Sequence, residues 1–348
     1  ILPQSGQGQR YGLHYSLFVA GAFGSEGSGL KHLMETTLCN YCGSGEANFR
    51  FKGPDLLLDR PTPEYTLVQC TRCGLVYQNP RPTPAEIIEH YPAEYGPYAD
   101  HGEQARQSWL LTRAYEYGIA KRCRYVTRHK RGGNLLDVGC ASGTFLRGIA
   151  ARGAWQVYGV ELNEAVAAFA REQYGLDVFA GRLEEAGYPD HLFDVVTMWD
   201  VLEHVHDPHE VLREVRRILK PDGLLVVRVP NLAGLEASIF GQYWAGLDLP
   251  RHLYVFTPAT LTHVMANAGL EVIGHSAGIG AYATFVISVE FLLNARQVSS
   301  AWKSRILRTL NHPVARLLSA PFFYFSNLTL KGSLLVTTAK VGDGTTNA

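Results

Sequence analysis

The sequence predicts an α/β chain built on a doubly wound, mainly parallel sheet, with a small metal-binding module ahead of it. Two observations carry this prediction. Between residues 132 and 275, short apolar runs alternate with helical patterns punctuated by caps and glycines, which is the rhythm of βαβ units. Upstream, four of the six cysteines fall into two Cys-x-x-Cys pairs, Cys39/Cys42 and Cys70/Cys73, each followed directly by glycine. The 348 residues accommodate one α/β domain and a smaller companion, and a hydrophobic content of 46% supplies the cores both need.

Residues 134–138 are read as the first buried strand and 144–152 as the helix after it, with Gly153 in the left-handed position that ends many helices. A second strand spans 157–160, and Asn163 caps a helix over Glu164–Tyr174 that Gly175 stops. A short strand at Asp177–Ala180 precedes another at 193–198. Asp207-Pro208-His209-Glu210 combines an N-cap, a proline at N1 and an acid at N3. It opens a helix with Leu212, Val215, Ile218 and Leu219 on one face. Residues 220–223 are expected to close that helix and turn the chain into a strand at 224–229, and Thr257-Pro258 starts a further helix. The Phe-, Leu- and Val-rich tail from Thr284 to Leu330 reads as one or two amphipathic helices completing the core, before a last strand at 333–340.

Composition divides the chain into a leader, tag or translated flank (1–33), the Cys-paired module (34–82), a Tyr- and Pro-rich bridge with a helix (83–131), the β/α domain (132–275) and an apolar tail (276–348). Met34 is a candidate start. Thirty-two basic residues balance thirty-two acidic ones, which argues against nucleic acid as a partner, since phosphate contacts demand clustered Lys and Arg. The apolar stretches near 277–289 and 317–330 are shorter than the roughly 18 residues of a spanning helix. An interfacial patch in the tail that docks on membrane is the less favoured reading of that segment.

The strand-to-helix loop holds the first candidate site. Asp137-Val138-Gly139-Cys140-Ala141-Ser142-Gly143 stands where this fold aims backbone amides at a ligand, and two glycines permit close approach. Glu161, at the end of the second strand, is placed to accept hydrogen bonds from both ribose hydroxyls of an adenosine-containing cofactor. The loop is Gly-x-x-x-Gly rather than the Gly-x-Gly-x-x-Gly of dinucleotide sites, and a carboxylate two residues before it suits a ligand bearing an ammonium group. A tight turn without ligand is the plain alternative, and a NAD-dependent dehydrogenase the enzymatic one.

On these residues the chain resembles the class I S-adenosylmethionine (SAM)-dependent methyltransferases, and Leu136-Asp-Val-Gly-Cys-Ala-Ser-Gly-Thr-Phe145 looks like their first motif. The resemblance implies a Rossmann-like catalytic domain in which Asp137 and the Gly139–Gly143 loop hold the methionine end. Glu161, with Leu162 beside it, holds the ribose, Arg182 and Leu183 flank the adenine, and Asp200 lies near the methionine amine or the reacting methyl.

Two Cys-x-x-Cys-Gly turns can set four thiolates tetrahedrally around Zn²⁺, so Cys39, Cys42, Cys70 and Cys73 are read as a structural zinc site with no open coordination position. A redox dithiol is the competing reading. Thiols kept reduced point to the cytosol. The arrangement is similar to a bacterial subgroup with a zinc-ribbon-like segment before the methyltransferase domain, in which Tyr91, Tyr95 and Tyr98 belong to a lid; a packing bridge is the alternative for these tyrosines.

For the acceptor, His204 and the Arg251-His252 pair sit on loops at the C-terminal ends of strands. His252 is preferred as base or positioning residue, His204 is the second candidate, and Arg251 suits a polar or phosphate-bearing acceptor. Similarity to ubiquinone O-methyltransferases implies that acidic and histidine groups near Glu203-His204 hold a divalent cation. The expected reaction is methylation of a small-molecule acceptor such as a sugar, a quinone or a cell-surface intermediate, on a hydroxyl first, with an amine or a carbon as the alternatives. The rival readings are a nucleic-acid methyltransferase guided by the ribbon and a SAM-binding protein that transfers nothing.

Overall fold

The structure, a computed structural model, describes residues 33–58, 62–91, 109–278 and 281–342. The expected leader up to residue 32, and Tyr95 and Tyr98 of the expected lid, lie outside these residues.

The N-terminal part begins with β1 (Met34–Glu35), followed by an antiparallel meander of β2 (Ala47–Gly53), β3 (Tyr65–Cys70) and β4 (Val76–Gln78). β1 pairs with β5 (Arg81–Pro82). Gly43 and Gly74 take left-handed φ angles of 69° and 76°, and each donates its amide to the carbonyl of the first cysteine of its pair, at 2.8 and 3.0 Å. Glycine adopts that conformation without steric cost, so both pairs fold into the same tight turn.

The bridge supplies α1 (Trp109–Thr127), whose Cys123 and Val126 are buried in the core of the main sheet. That sheet comprises β6 (Gly132–Val138), β7 (Ala154–Glu161), β8 (Asp177–Ala180), β9 (Phe193–Trp199), β10 (Leu219–Pro230), β12 (Leu270–Ala277) and β13 (Leu334–Val341), and β11 (Tyr254–Val255) belongs to a different sheet. The order across the sheet is β12-β13-β10-β9-β6-β7-β8, with β13 antiparallel to both neighbours and β6 to β10 parallel. Leu135, Leu136, Val195, Val196, Val226 and Val227 are buried, as strands covered by helices on both faces require. The chain runs outward from β6 in both directions, so the switch point lies at the carboxyl ends of β6 and β9, where such sheets bind ligands.

Between the strands lie α2 (Thr144–Ala150), α3 (Glu164–Tyr174), α4 (Pro208–Ile218), α5 (Leu235–Phe240) and α6 (Pro258–Asn267). Several of their ends follow the local chemistry. Asn163 accepts from the amides of Ala165 and Val166, and Gly175 stops α3 at φ 62°. Asp207 accepts from the amides of His209 and Glu210, and α4 buries Leu212, Val215 and Ile218.

Three local expectations are corrected. α2 ends at Ala150 in ordinary right-handed geometry, and Gly153 is not left-handed. Its conformation is set by tight packing, since a Cβ there would meet the Arg131 carbonyl and the Trp155 ring. Residues 220–223 do not form a turn between helix and strand; β10 already starts at Leu219, and its pairing with β9 skips from Leu219 to Leu224. A Lys220–Asp194 ion pair at 2.7 Å holds the bulge. The tail forms three helices rather than one or two, α7 (Ala281–Ala295), α8 (Ser300–Asn311) and α9 (Pro313–Leu328).

The Cys-paired part is not a separate bead. β11, from the loop region after β10, pairs antiparallel with β4 and completes a four-stranded sheet in the order β11-β4-β3-β2. Cys39, Cys70, Leu75 and Tyr77 share one buried cluster with Leu202, Leu253 and Tyr254. Arg251 locks the junction. Its fully buried guanidinium donates to both oxygens of Asp55 at 2.7 and 2.8 Å and to Asp248 at 2.7 Å. Replacing Arg251 with Met leaves two carboxylates without their counter-ion, and a loss of about 3–5 kcal/mol is expected. Chemical unfolding at neutral pH checks this; a change under about 1 kcal/mol would contradict it.

Candidate active site

The loop after β6 is a compact crook. The amides of Gly139 and Cys140 both donate to the Val160 carbonyl, at 2.8 and 3.1 Å, which ties the end of β6 to the end of β7. Gly139, Ala141 and Gly143 have φ of 69°, 47° and 76°. A Cβ on Gly139 would come within 2.5 Å of Val201, and one on Gly143 would collide with Leu176, so packing as well as backbone geometry demands glycine. Glu161 closes the crook. Its Oε2 accepts from the Ala141 amide at 3.0 Å and its Oε1 from the Asn163 amide at 2.9 Å.

The site is electrostatically poised for a cation. Asp137 is buried and accepts from the Thr197 hydroxyl at 2.6 Å. Burial pushes its pKa up to about 7, against the opposing Thr197 hydrogen bond and the charge of Arg122. Burial also raises Glu161, with the amides of Asn163, Ala141 and Leu162 opposing it. Two desolvated carboxylates at one crook gain from a ligand that carries positive charge and would repel a pyrophosphate.

The other residues singled out from the sequence are distributed around this edge. Cys140 is buried, Ala141 and Ser142 are half-buried, and Leu162 is exposed. The Gly181 amide donates to the Glu161 carbonyl at 3.0 Å, and the next residue, Arg182, opens a 3₁₀ turn in which Leu183 is buried. Asp200, expected near the methionine amine or the methyl group, has its carboxylate engaged by Arg228, with Nε to Oδ1 at 2.8 Å. Burial pushes Asp200 up, and the Arg228 charge more than offsets that, holding it below the usual range. Arg228 was not foreseen, although an arginine inside an otherwise apolar strand signals a partner. Arg122, 5.4 Å over the Trp199 ring, was also missed; nothing in a helix pattern marks it.

A second cluster forms where the loop after β9 meets residues 244–253. The His204 and His252 rings lie 4.5 Å apart. His204 Nδ1 donates to the Arg251 carbonyl at 3.1 Å and lies 2.8 Å from the Tyr91 hydroxyl. His252 Nδ1 donates to the Gly246 carbonyl at 2.9 Å, which turns Nε2 toward Asp248 and Glu203, at 3.8 and 4.0 Å. Burial lowers His204 to about 3 and also lowers His252. Glu203 is fully buried, and neither of its carboxyl oxygens has a hydrogen-bond partner among the described residues. Burial, followed by the Asp200 charge, raises it well above the carboxylate range. Ligand atoms of Glu203, His204 and His252 lie within 4.8 Å of one another. Arg251 was expected to face an acceptor because a buried guanidinium needs partners; Asp55 and Asp248 are those partners, and its side chain is shielded from solvent.

The four cysteines converge. Sγ separations are 3.5 Å for Cys39–Cys73 and for Cys42–Cys70, all four lie within 4.8 Å of one another, and all four are free thiols. A tetrahedron with Zn–S bonds of about 2.3 Å requires sulfurs about 3.8 Å apart, and the cluster fits that demand.

A family model described as a methyltransferase domain matches residues 111–275. Ubiquinone biosynthesis O-methyltransferase of Neisseria meningitidis serogroup C is 30% identical over 164 residues, covering 42% of this chain and 68% of that protein. The corresponding enzyme of Pseudomonas paraeruginosa is 36% identical over 154 residues, or 40% of this chain and 66% of that one. A Mycolicibacterium smegmatis protein named "Probable S-adenosylmethionine-dependent methyltransferase" is 31% identical over 157 residues, 42% of this chain, and the match spans only 58% of its length. Among solved structures, the cyclopropane synthase MmaA2 of Mycobacterium tuberculosis is 21% identical, with a TM-score of 0.43 over 64% of this chain and 84% of that one. The chain belongs to the class I SAM-dependent methyltransferases. Both the cysteine-paired segment and helices α7 to α9 lie outside the matched domain.

The Asp137 shift has a measurable sign. A carboxyl raised from 3.8 to about 7 on folding contributes stability that is complete below about pH 4 and is lost as pH rises through about 7. Between about pH 4.5 and 8, ligand-free wild type should therefore lose roughly 2–4 kcal/mol relative to Asp137→Asn. Denaturant titrations of both proteins across that range check it, and a constant difference between them would refute the buried-acid assignment.

Proposed function

We propose that this protein transfers the methyl group of SAM to a hydroxyl of a small-molecule acceptor. The observation that carries the reading is the Glu161 carboxylate beside the Gly139–Gly143 crook, 3.0 Å from the Ala141 amide. In this reading Asp137 and the backbone of Gly139, Cys140, Ala141, Ser142 and Gly143 hold the methionine end, Glu161 with Leu162 takes the ribose, and Arg182 with Leu183 borders the adenine. Asp200 acts through its Arg228 pair, shaping the floor beside the methionine. When bound, SAM supplies an electrophilic methyl on a sulfonium.

Methyl transfer is an in-line displacement, so alignment of the acceptor oxygen accounts for much of the rate. With SAM bound, a bond would form between the acceptor oxygen and the methyl carbon as the S–C bond breaks, and the hydroxyl proton must leave. His252 takes that proton on Nε2, because its Nδ1–H is committed to Gly246 and Asp248 stands ready to stabilise the imidazolium. His204, whose Nδ1 is engaged by the Arg251 carbonyl and the Tyr91 hydroxyl, positions His252 and Tyr91 instead. Arg251 acts one step further back by orienting Asp248. Sugars, quinols and cell-surface polysaccharide or lipid intermediates are the acceptor classes this polar, aromatic-lined loop suits, and nucleic acid is not favoured by the balanced charge. Cys39, Cys42, Cys70 and Cys73 hold a structural Zn²⁺ in this reading, and a reducing compartment such as the cytosol suits their thiols.

The buried oxygens of Glu203, which accept no hydrogen bond among the described residues, favour a second arrangement, in which Glu203, His204 and His252 bind a divalent cation that polarises the hydroxyl. Metal content and turnover separate the two. If His252 is the base, wild type and Glu203→Gln each carry one zinc per chain, and His252→Ala slows turnover roughly a hundredfold to ten-thousandfold with SAM affinity unchanged. A second equivalent of metal lost in Glu203→Gln selects the cation.

For the cofactor, calorimetric titration should give saturable SAM binding and no response to NAD. Glu161→Gln should weaken SAM binding by at least about tenfold, through loss of charge-assisted ribose bonds. Equal affinity in wild type and variant would remove the basis of the proposal.

A further inference from the structure

Helix α9 presents apolar side chains on its solvent face as well as its inner face. Phe323 packs on Tyr282 and Phe285, and Ser326 is buried, which defines the side turned to the protein. On the opposite side Val314, Leu317, Leu318, Phe325 and Leu328 recur at helical spacing with exposures of 55–77%. Tyr324 on the same helix and Trp302 on α8 are also exposed and extend the surface, with Arg305 stacked 5.5 Å from the Trp302 ring. An apolar stripe of this length exposed to water is the mark of a docking surface.

The charge around it names the occupant. Residues 291–342 contain seven Lys and Arg residues and no Asp or Glu, and of the seven Lys340 on β13 is paired with Glu271, which leaves six basic residues on or beside α8 and α9. Arg296, Arg305, Arg308, Arg316 and Lys331 are exposed. A second copy meeting this face across a two-fold axis would set like charges against each other. Among the described residues no helix is long and apolar enough to cross a membrane, and the 16 residues of α9 span about 24 Å, less than a bilayer core. Apolar stripe, an exposed Trp and Tyr, and basic rather than acidic side chains on α8, α9 and the turns that flank them are together the composition of a helix that lies in the headgroup plane.

We propose that α8 and α9 form an interfacial anchor that docks this protein on anionic lipid bilayers, independently of the methyl-transfer chemistry. α7 joins the anchor to the 244–252 loop, since Ser288 Oγ accepts from the Ala245 amide at 2.9 Å.

Flotation of the whole chain with phosphatidylglycerol–phosphatidylcholine vesicles and with phosphatidylcholine vesicles alone tests the proposal. Binding to the anionic vesicles is expected to fall at least about tenfold on pure phosphatidylcholine, in high salt, in Arg305→Glu/Arg308→Glu and in Leu318→Asp/Phe325→Asp. The substituted side chains are exposed, so circular dichroism and SAM affinity should match wild type. Absence of flotation, binding indifferent to lipid charge, or a dimer in sedimentation that the Leu318→Asp/Phe325→Asp variant dissolves would each overturn it.

Discussion

The clasp between Glu161 and the amide of Ala141 organises the carboxyl edge of the main sheet, where the proposed cofactor site lies. A chain leaving β6 must turn sharply to start α2, and it does so through three left-handed residues, one of which, Ala141, has a Cβ. That conformation persists because Val160 accepts two amides of the crook and Glu161 accepts a third. The same carboxylate is thereby held at the switch point of the sheet, desolvated and close to Asp137. The fold of the crook and the proposed binding chemistry rest on one set of contacts, so a substitution there would disturb both.

The N-terminal segment is tied to the region of residues 206 and 248–255 rather than appended to it. β11 adds to its sheet, Arg81 donates to the His206 carbonyl and the Tyr254 hydroxyl, both at 2.9 Å, and Asp55 neutralises Arg251. A buried charge pair of this kind offers little net stabilisation, but its geometry is demanding. Here it sets Asp248, and through Asp248 the side of His252 that faces Glu203. A metal held by the four cysteines would thus stiffen, at a distance, the loop that carries the candidate base.

What the sequence disclosed was local. Asn163, Gly175 and Asp207 announce helix ends because capping depends on a residue and its nearest amides. Gly139, Gly143 and Glu161 were legible because one strand and one loop order them, and the four cysteines because their knuckles repeat. The parts that escaped depend on partners far along the chain. Nothing near Asp55 signals Arg251, 196 residues away. Residues 220–223 look like a helix stop followed by a turn, yet pairing with β9 and the Lys220–Asp194 contact draw them into β10. The boundary drawn after residue 82 missed β11 for the same reason, since two residues of strand carry no pattern of their own.

A crystal structure of the whole chain with S-adenosylhomocysteine tests the role of Glu161 most directly, through a single contact. Both Glu161 carboxylate oxygens are expected at about 2.7 Å from the two ribose hydroxyls, with the amino group of the ligand over the Gly139–Gly143 crook. An adenosyl group bound elsewhere, with Glu161 still closed on Ala141, would contradict it.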